Sequence, residues 1–203
     1  PDNVAMGFGS REILNKAAIM NEIDGGELIS PTLTFEAINQ FASKTMKTNV
    51  VRVPMTKEIG IDLKTTGQMV NSKTNMVYLC NPNNPTGVIM NPKELEVFCK
   101  ETSKKSIVFV DEAYHEYVMD KQYRSMVSLV NEGYDVLISR TASKVHGLAG
   151  LRVGYAISTP KIIKRLNSYM NGSLNVVGLR GAIASYKDKS CLLYTSPSPR
   201  DKT

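Results

Sequence analysis

Lys144 is the residue whose surroundings most invite chemistry. It sits among small and hydroxyl-bearing neighbours in S-R-T-A-S-K-V-H-G-L-A-G-L-R-V-G-Y, Ser139 to Tyr155. A primary amine in such a place can condense with an aldehyde to form an imine. Arg152 follows eight residues later, with Gly147 and Gly150 between them to let the segment fold tightly. Taken alone, the segment reads equally well as a basic surface loop, because isolated lysines are usually solvated. His146, two residues past the lysine, reads as a packed or partly exposed side chain rather than a catalytic one.

Three other clusters change the balance. In V-D-E-A-Y, Val110 to Tyr114, Asp111 closes an apolar run. That is an expensive place for a lone carboxylate, so a cationic or hydrogen-bonding partner is expected. Tyr114, three residues on, returns to the same side of a turn. In N-P-N-N-P-T-G, Asn81 to Gly87, two prolines stiffen a turn from which Asn84 can offer its amide. In G-F-G-S-R-E, Gly7 to Glu12, glycines and a hydroxyl precede a helix. The free N–H groups and the helix dipole there can cradle a phosphate at Gly9, Ser10 and Arg11. Glu12 occupies the last glycine position of G-x-G-x-x-G, which disfavours a nicotinamide-dinucleotide reading. The four clusters together match the needs of one cofactor. Lys144 meets an aldehyde, and Asp111 meets a protonated ring nitrogen. Asn84 and Tyr114 meet a phenolic oxygen, while Ser10, Thr141, Ser143 and Arg152 meet a phosphate.

Such residues need a frame. Short apolar runs alternate with amphipathic stretches, the pattern of an α/β domain. Strands are expected at 27–29, 50–53, 76–80, 107–110, 136–139 and 153–157. Helices are expected at 11–20 with Ser10 as N-cap, 35–43, 62–70, 92–100 with Asn91 as cap, 160–169 and 176–186. Asn81, Asp111 and Arg140-Thr141 fall just beyond the carboxyl ends of buried strands. In open α/β sheets that edge is where ligands sit.

A chain of 203 residues, 42% hydrophobic and 22% charged, can bury one good core. No apolar run approaches the length that spans a bilayer, so no membrane partner is expected. The net charge of +6 is scattered and not interleaved with aromatics, so no nucleic-acid partner is expected either. Cys80, Cys99 and Cys191 have neither paired nor metal-ligand spacing, so no metal is expected and the thiols fit a reducing, cytoplasmic compartment. The text changes at Cys191, C-L-L-Y-T-S-P-S-P-R-D-K-T, where no helical or strand period survives. Its back-translation resembles the transposase adapter of short-read sequencing libraries. Residues 191–203 are therefore expected to be a non-native tail, and 1–190 the domain proper.

With N-P-N-N-P-T-G, V-D-E-A-Y and S-K-V-H-G-L-A-G-L-R-V-G-Y in this order, the chain resembles the fold-type I aminotransferases over residues 1–190. Within them it is most similar to the histidinol-phosphate branch. The resemblance implies a three-layer α/β/α large domain with a mostly parallel sheet, and pyridoxal 5'-phosphate as cofactor. It implies Lys144 as the Schiff-base lysine and acid/base, Asp111 as partner of the ring nitrogen, and Asn84 and Tyr114 at the 3-oxygen. Arg152 and Ser143, with Thr141 and Gly9-Ser10-Arg11, would bind the phosphate. Relatives usually carry Pro-Thr-Tyr where a ring stacks on the cofactor, whereas this chain reads S-P-T-L-T-F-E. Either Leu33 replaces that ring or Phe35 supplies it, and Phe35 is the expected one. The resemblance further implies a small-molecule amino donor, a 2-oxo acid acceptor, a homodimer at full length, and an N-terminal arm and small domain beyond this chain. A decarboxylase or β-lyase of the same fold, or a sensor domain of a transcription regulator, would use the same large-domain residues.

Overall fold

The computed structural model describes residues 1–169 and 174–188, so the tail expected at 191–203 lies outside the described residues. The strands are β1 (Val4–Phe8), β2 (Glu27–Pro31), β3 (Val50–Val53), β4 (Thr74–Cys80), β5 (Ile107–Asp111), β6 (Val136–Thr141) and β7 (Val153–Ile157). They form one sheet in the order β1-β7-β6-β5-β4-β2-β3. The run from β3 to β6 is parallel, β7 joins its edge antiparallel to β6, and β1 pairs antiparallel with β7. Parallel neighbours require crossovers, and the chain provides them as helices.

Those helices are α1 (Ser10–Ile23), α2 (Ala37–Gln40), α3 (Leu63–Met69), α4 (Pro92–Thr102), α5 (Val127–Asn131), α6 (Pro160–Ser168) and α7 (Val176–Lys187). Side chains alternate across a strand, so each strand feeds two cores. Met76, Tyr78, Phe109 and Leu137 face one layer, where Ile13 and Leu14 of α1 and Ile162, Ile163 and Leu166 of α6 cover them. Val77, Leu79, Val108, Val110 and Ile138 face the other, beneath Leu95, Phe98 and Cys99 of α4 and Leu129 of α5. Each fully buried aliphatic or aromatic side chain contributes about 1.5–3 kcal/mol relative to exposure. The result is an α/β domain, as the sequence pattern predicts, in the three-layer α/β/α form that the resemblance implies.

Local signals explain most element ends. Asp62 caps α3 by accepting from Thr65 N at 2.9 Å, and Asn91 caps α4 by accepting from Lys93 N at 3.0 Å. Pro92 and Pro160 occupy first helical positions, where no N–H is needed. Four points differ from the sequence reading. Strand β1 and helix α5 were not expected. Ser10 is not the cap of α1, because the helix begins at Ser10 and the flanking residue is Gly9. The helix expected over 35–43 is a single α turn, Ala37–Gln40, that widens into a π-helical turn, Phe41–Met46, ended by Lys47 at φ 61°.

Candidate active site

Three neighbouring strands end side by side, and their register selects which side chains share a surface. Cys80 pairs with Asp111, and Asp111 with Ser139. By strand alternation, Asp111 shares a face with Phe109, and Ser139 and Thr141 share one with Leu137. The same face carries α1, so the N-terminus of that helix reaches the strand ends. A cleft there is lined by Ser10, Arg11, Phe35, Asn84, Thr141 and Arg152, together with Asp111, Tyr114, Ser143 and Lys144. Cys80 and Ala113 complete the lining and were not singled out in the sequence. Their signal was available, since Cys80 adjoins the Asn-Pro turn and Ala113 lies between Asp111 and Tyr114.

Asp111 is 2% exposed and has the polar partners its position demanded. Ser139 Oγ donates to its Oδ1 at 2.7 Å, and the buried Tyr78 Oη donates to Oδ2 at 3.3 Å. Burial nevertheless wins: it pushes the carboxyl up to about 6, against the opposing pull of the Ser139 and Tyr78 hydrogen bonds. The adjacent Cys80 thiol is also pushed up, by burial and by Asp111, and as a thiol it donates to Pro82 O at 3.3 Å. A cation at Oδ2 would suit this carboxylate.

Glu112, one residue on, points to the opposite face and does a different job. It is 1% exposed and accepts from Arg140 Nη2 at 2.8 Å and from Met126 N at 2.9 Å. Arg140 therefore pairs behind the sheet and takes no part in the cleft. The Asn-rich turn divides its labour in the same way. Asn81 Oδ1 accepts from Met90 N at 3.0 Å. Asn83, 3% exposed, accepts from Thr34 Oγ1 at 2.9 Å and donates to Leu33 O at 3.0 Å. Asn84 alone of the three lines the cleft, where its Nδ2 donates to Tyr114 Oη at 3.3 Å.

The segment before α2 is thereby fastened, and Arg52 fastens it again, donating to Pro31 O at 2.8 Å and to Glu36 Oε2 at 2.9 Å. Phe35 lines the cleft from this segment, while Leu33 is 41% exposed and absent from the lining.

Opposite the Asp111 end lies a cradle for an anion. Arg152 has φ 54° and donates through Nη1 to Ala149 O at 2.9 Å and through Nη2 to Phe8 O at 3.1 Å. Its guanidinium is thus fixed beside the start of α1. Gly9 has φ 76°, and a Cβ there would fall 2.2 Å from Arg152 Nη2. Gly9 does not line the cleft itself; it leaves room for the arginine. A Cβ on Gly154 of β7 would fall 2.4 Å from Ser10 N, so this glycine lets the turn into α1 pass over the strand. Thr141 Oγ1 lies 2.9 Å from Ser143 Oγ, which lies 3.4 Å from Arg152 Nη1. Hydroxyls, a guanidinium and the N-terminus of a 14-residue helix form a donor set suited to a phosphate.

Between the two ends, Lys144 Nζ stands 4.9 Å from the centroid of the Tyr114 ring. The loop that carries it is closed on itself, with Gly147 N donating to Lys144 O at 2.9 Å and Leu148 N to Ala142 O at 3.0 Å. Arranged in this way, the cleft can accept a planar ring with a cation at one end, a phosphate at the other and an aldehyde near the lysine. Pyridoxal phosphate has this shape and charge pattern, and the donor set and the glycine-bounded cradle fit it.

Comparison with known proteins places these features in company. The chain is 36% identical over 191 residues to histidinol-phosphate aminotransferase of Moorella thermoacetica, covering 93% of this chain and 49% of that protein. The crystal structure of a putative histidinol-phosphate aminotransferase from Erwinia carotovora atroseptica superposes with a TM-score of 0.88 at 32% identity, over 95% of this chain and 57% of that one. A histidinol-phosphate aminotransferase from Sinorhizobium meliloti, solved in complex with pyridoxal-5'-phosphate, gives 0.86 at 25% identity, over 95% and 52%. The chain thus spans about half the length of the curated relatives it matches. The family model for aminotransferase class I and II matches residues 1–189. A match of that extent, over a fold and a cleft assembled from the chain's own residues, makes this chain a member of the aminotransferase class I and II family.

Proposed function

We propose that the chain is the cofactor-binding portion of a pyridoxal-phosphate-dependent transaminase. It would move an amino group between a small-molecule donor, an amino acid or an amino-alcohol phosphate of the histidinol-phosphate type, and a 2-oxo acid acceptor. One observation carries the reading: Asn84, Asp111 and Lys144, from three separate stretches of the chain, line a single cleft together with Tyr114 and Arg152. The names of the relatives support the donor class.

When bound, pyridoxal phosphate supplies an electron-poor ring that takes up the electron pair released at the substrate's α-carbon. The protein's residues then have separable tasks. Lys144 would provide the amine for the cofactor's aldehyde and then the base that takes the substrate's α-proton and passes it to the carbon that bore the aldehyde. Asp111, ionised, would hold a proton on the ring nitrogen. Asn84 and Tyr114 would take the 3-oxygen, and Phe35 would pack against the ring. Arg152, Ser143, Thr141 and the Ser10-Arg11 amides anchor the phosphate, which fixes the reacting carbon relative to Lys144 Nζ. The whole enzyme is proposed to act as a homodimer in the cytoplasm. Three observations support this: the resemblance, the buried free thiols of Cys80 and Cys99, and the apolar Val176, Val177 and Ile183 that α7 leaves exposed.

The test uses the protein from its complete reading frame. Adding pyridoxal phosphate is expected to produce a visible absorbance band that Lys144→Ala lacks, along with a loss of turnover of several orders of magnitude. Histidinol phosphate, aromatic amino acids and threonine phosphate are then compared as substrates with a 2-oxo acid acceptor. Release of carbon dioxide from threonine phosphate without amino transfer would replace the transaminase reading by a decarboxylase one.

A further inference from the structure

Two segments that line the cleft meet a second time at its margin. His146 lies two residues beyond Lys144, and Glu116 lies two beyond Tyr114 in the short helical turn His115–Tyr117. His146 is 7% exposed. Its Nδ1 is 2.8 Å from Ser185 Oγ on α7, its Nε2 is 3.9 Å from Glu116 Oε1, and its ring centroid is 4.0 Å from that of Tyr186. The other carboxylate oxygen, Glu116 Oε2, is 3.0 Å from His115 Nδ1, which also lies 3.0 Å from Glu112 O. Glu116 Oε1 is buried with no hydrogen-bond partner. A buried acceptor in that state is costly, and the imidazole Nε2 of His146 lies 3.9 Å from it.

We propose that His146 is a positioning residue for Lys144: through Glu116 it holds the lysine-bearing loop in register with the turn that carries Tyr114. The inference rests on the reading of Lys144 as the amine that takes the cofactor. A histidine serving only as packing would need its ring against Tyr186 and nothing more. Here the ring nitrogens address two other elements, α7 through Ser185 and the 115–117 turn through Glu116. With a hydrogen on Nε2 the imidazole faces the unsatisfied oxygen, and Ser185 can donate to Nδ1. With both nitrogens protonated it can donate to both partners, and the charge draws the 3.9 Å gap closed.

The junction is therefore sensitive to pH. Burial pulls the His146 imidazolium below the ordinary histidine range, Glu116 opposes that pull, and His115 reinforces it. The groups that face it are Glu116 and His115 from the turn and Tyr186 from α7. Tyr155 of β7 and Arg140 of β6 lie behind Tyr186. Near neutral pH the uncharged ring faces Glu116 across the 3.9 Å gap, and acidification adds a charge that strengthens the hold.

The test reads the full-length holoenzyme by its visible absorbance as a function of pH, which reports the proton on the link between lysine and cofactor. H146F keeps the ring against Tyr186 and removes both nitrogens, whereas H146Q keeps a donor. E116Q keeps the shape of the acceptor and removes its charge. H146F and E116Q are each expected to move the midpoint by about half a pH unit or more. The double variant should move it no further than the larger single, and H146Q should lie nearer the wild type than H146F. If one variant fails to fold, the remaining single and H146Q carry the comparison. Unmoved midpoints in folded variants, or shifts that add independently, overturn the inference. No band in the wild type overturns the reading of Lys144 itself, whereas a normal band with unmoved midpoints sinks only the role of His146.

Discussion

Asp111 shows how a single residue can trade stability for binding. Its carboxyl is raised to about 6 by burial, so between the ordinary carboxylate range and that value the folded protein keeps a proton that the unfolded chain has lost. Its contribution to stability is therefore complete below the ordinary range and is lost as pH rises through about 6. Asp111→Asn removes the charge but keeps the shape between Ser139 and Tyr78. At about pH 7.5 the cofactor-free variant is expected to be more stable than the cofactor-free wild type by about 1–3 kcal/mol, falling to about half of that near pH 5. Cofactor retention should be much weaker in the variant. Thermal melts at the two pH values check this, and a cofactor-free variant less stable than wild type at the higher pH would contradict it. The sequence announced that Asp111 needed partners but could not name them. Tyr78 and Ser139 lie on separate strands, and only the parallel register brings their hydroxyls to the carboxylate. The role of Gly9 was half legible in the same way. It was read as a phosphate ligand, whereas its missing Cβ is what admits Arg152. Gly9→Ala is expected to lower affinity for pyridoxal phosphate by tenfold or more while affinity for pyridoxal, which has no phosphate, changes little. Equal losses for both would show that the substitution disturbs more than the anchor.

At the scale of elements, the legible parts were those whose pattern is self-contained. The apolar runs 76–80 and 107–110 could be nothing but buried strands, and Asn91-Pro92 could hardly fail to start a helix. Strand β1 escaped notice because V-A-M-G-F alternates weakly and its partner β7 lies at the other end of the domain. Helix α5, of five residues, is too short to show a period. The helix before Lys47 was misjudged because its widened last turn, which packs against α1, leaves no mark on composition. The N-P-N-N-P-T-G turn stood out as a string, but its division into two braces and one cleft residue did not. Asn83→Ala would leave Thr34 Oγ1 without its partner in a buried setting and Leu33 O without one in a part-buried setting, at a cost of about 1–3 kcal/mol. Because that brace holds the segment carrying Phe35, the variant should also bind the cofactor more weakly, with the visible band less intense at equal cofactor concentration. Full stability in chemical denaturation would show that the brace is redundant with Arg52.

For the whole molecule, the chain as given covers about half of each curated relative. The 203-residue chain is accordingly expected to show no measurable amino transfer between histidinol phosphate and 2-oxoglutarate, while the complete reading frame does. Coupled assays of the two purified proteins decide this, and turnover by the shorter one would mean that the rest of the length is dispensable for chemistry. Among the described residues, no helix is long and apolar enough to cross a membrane. The sheet edge adds a last point. Residues 142–152 leave β6 and return antiparallel along β7, and Ala142 N bonds to Val153 O at 3.0 Å where the excursion closes. Lysine and arginine thus hang from one ring of backbone whose two feet stand on adjacent rails of the sheet. As long as those two rails stay paired, the amine and the guanidinium keep their spacing.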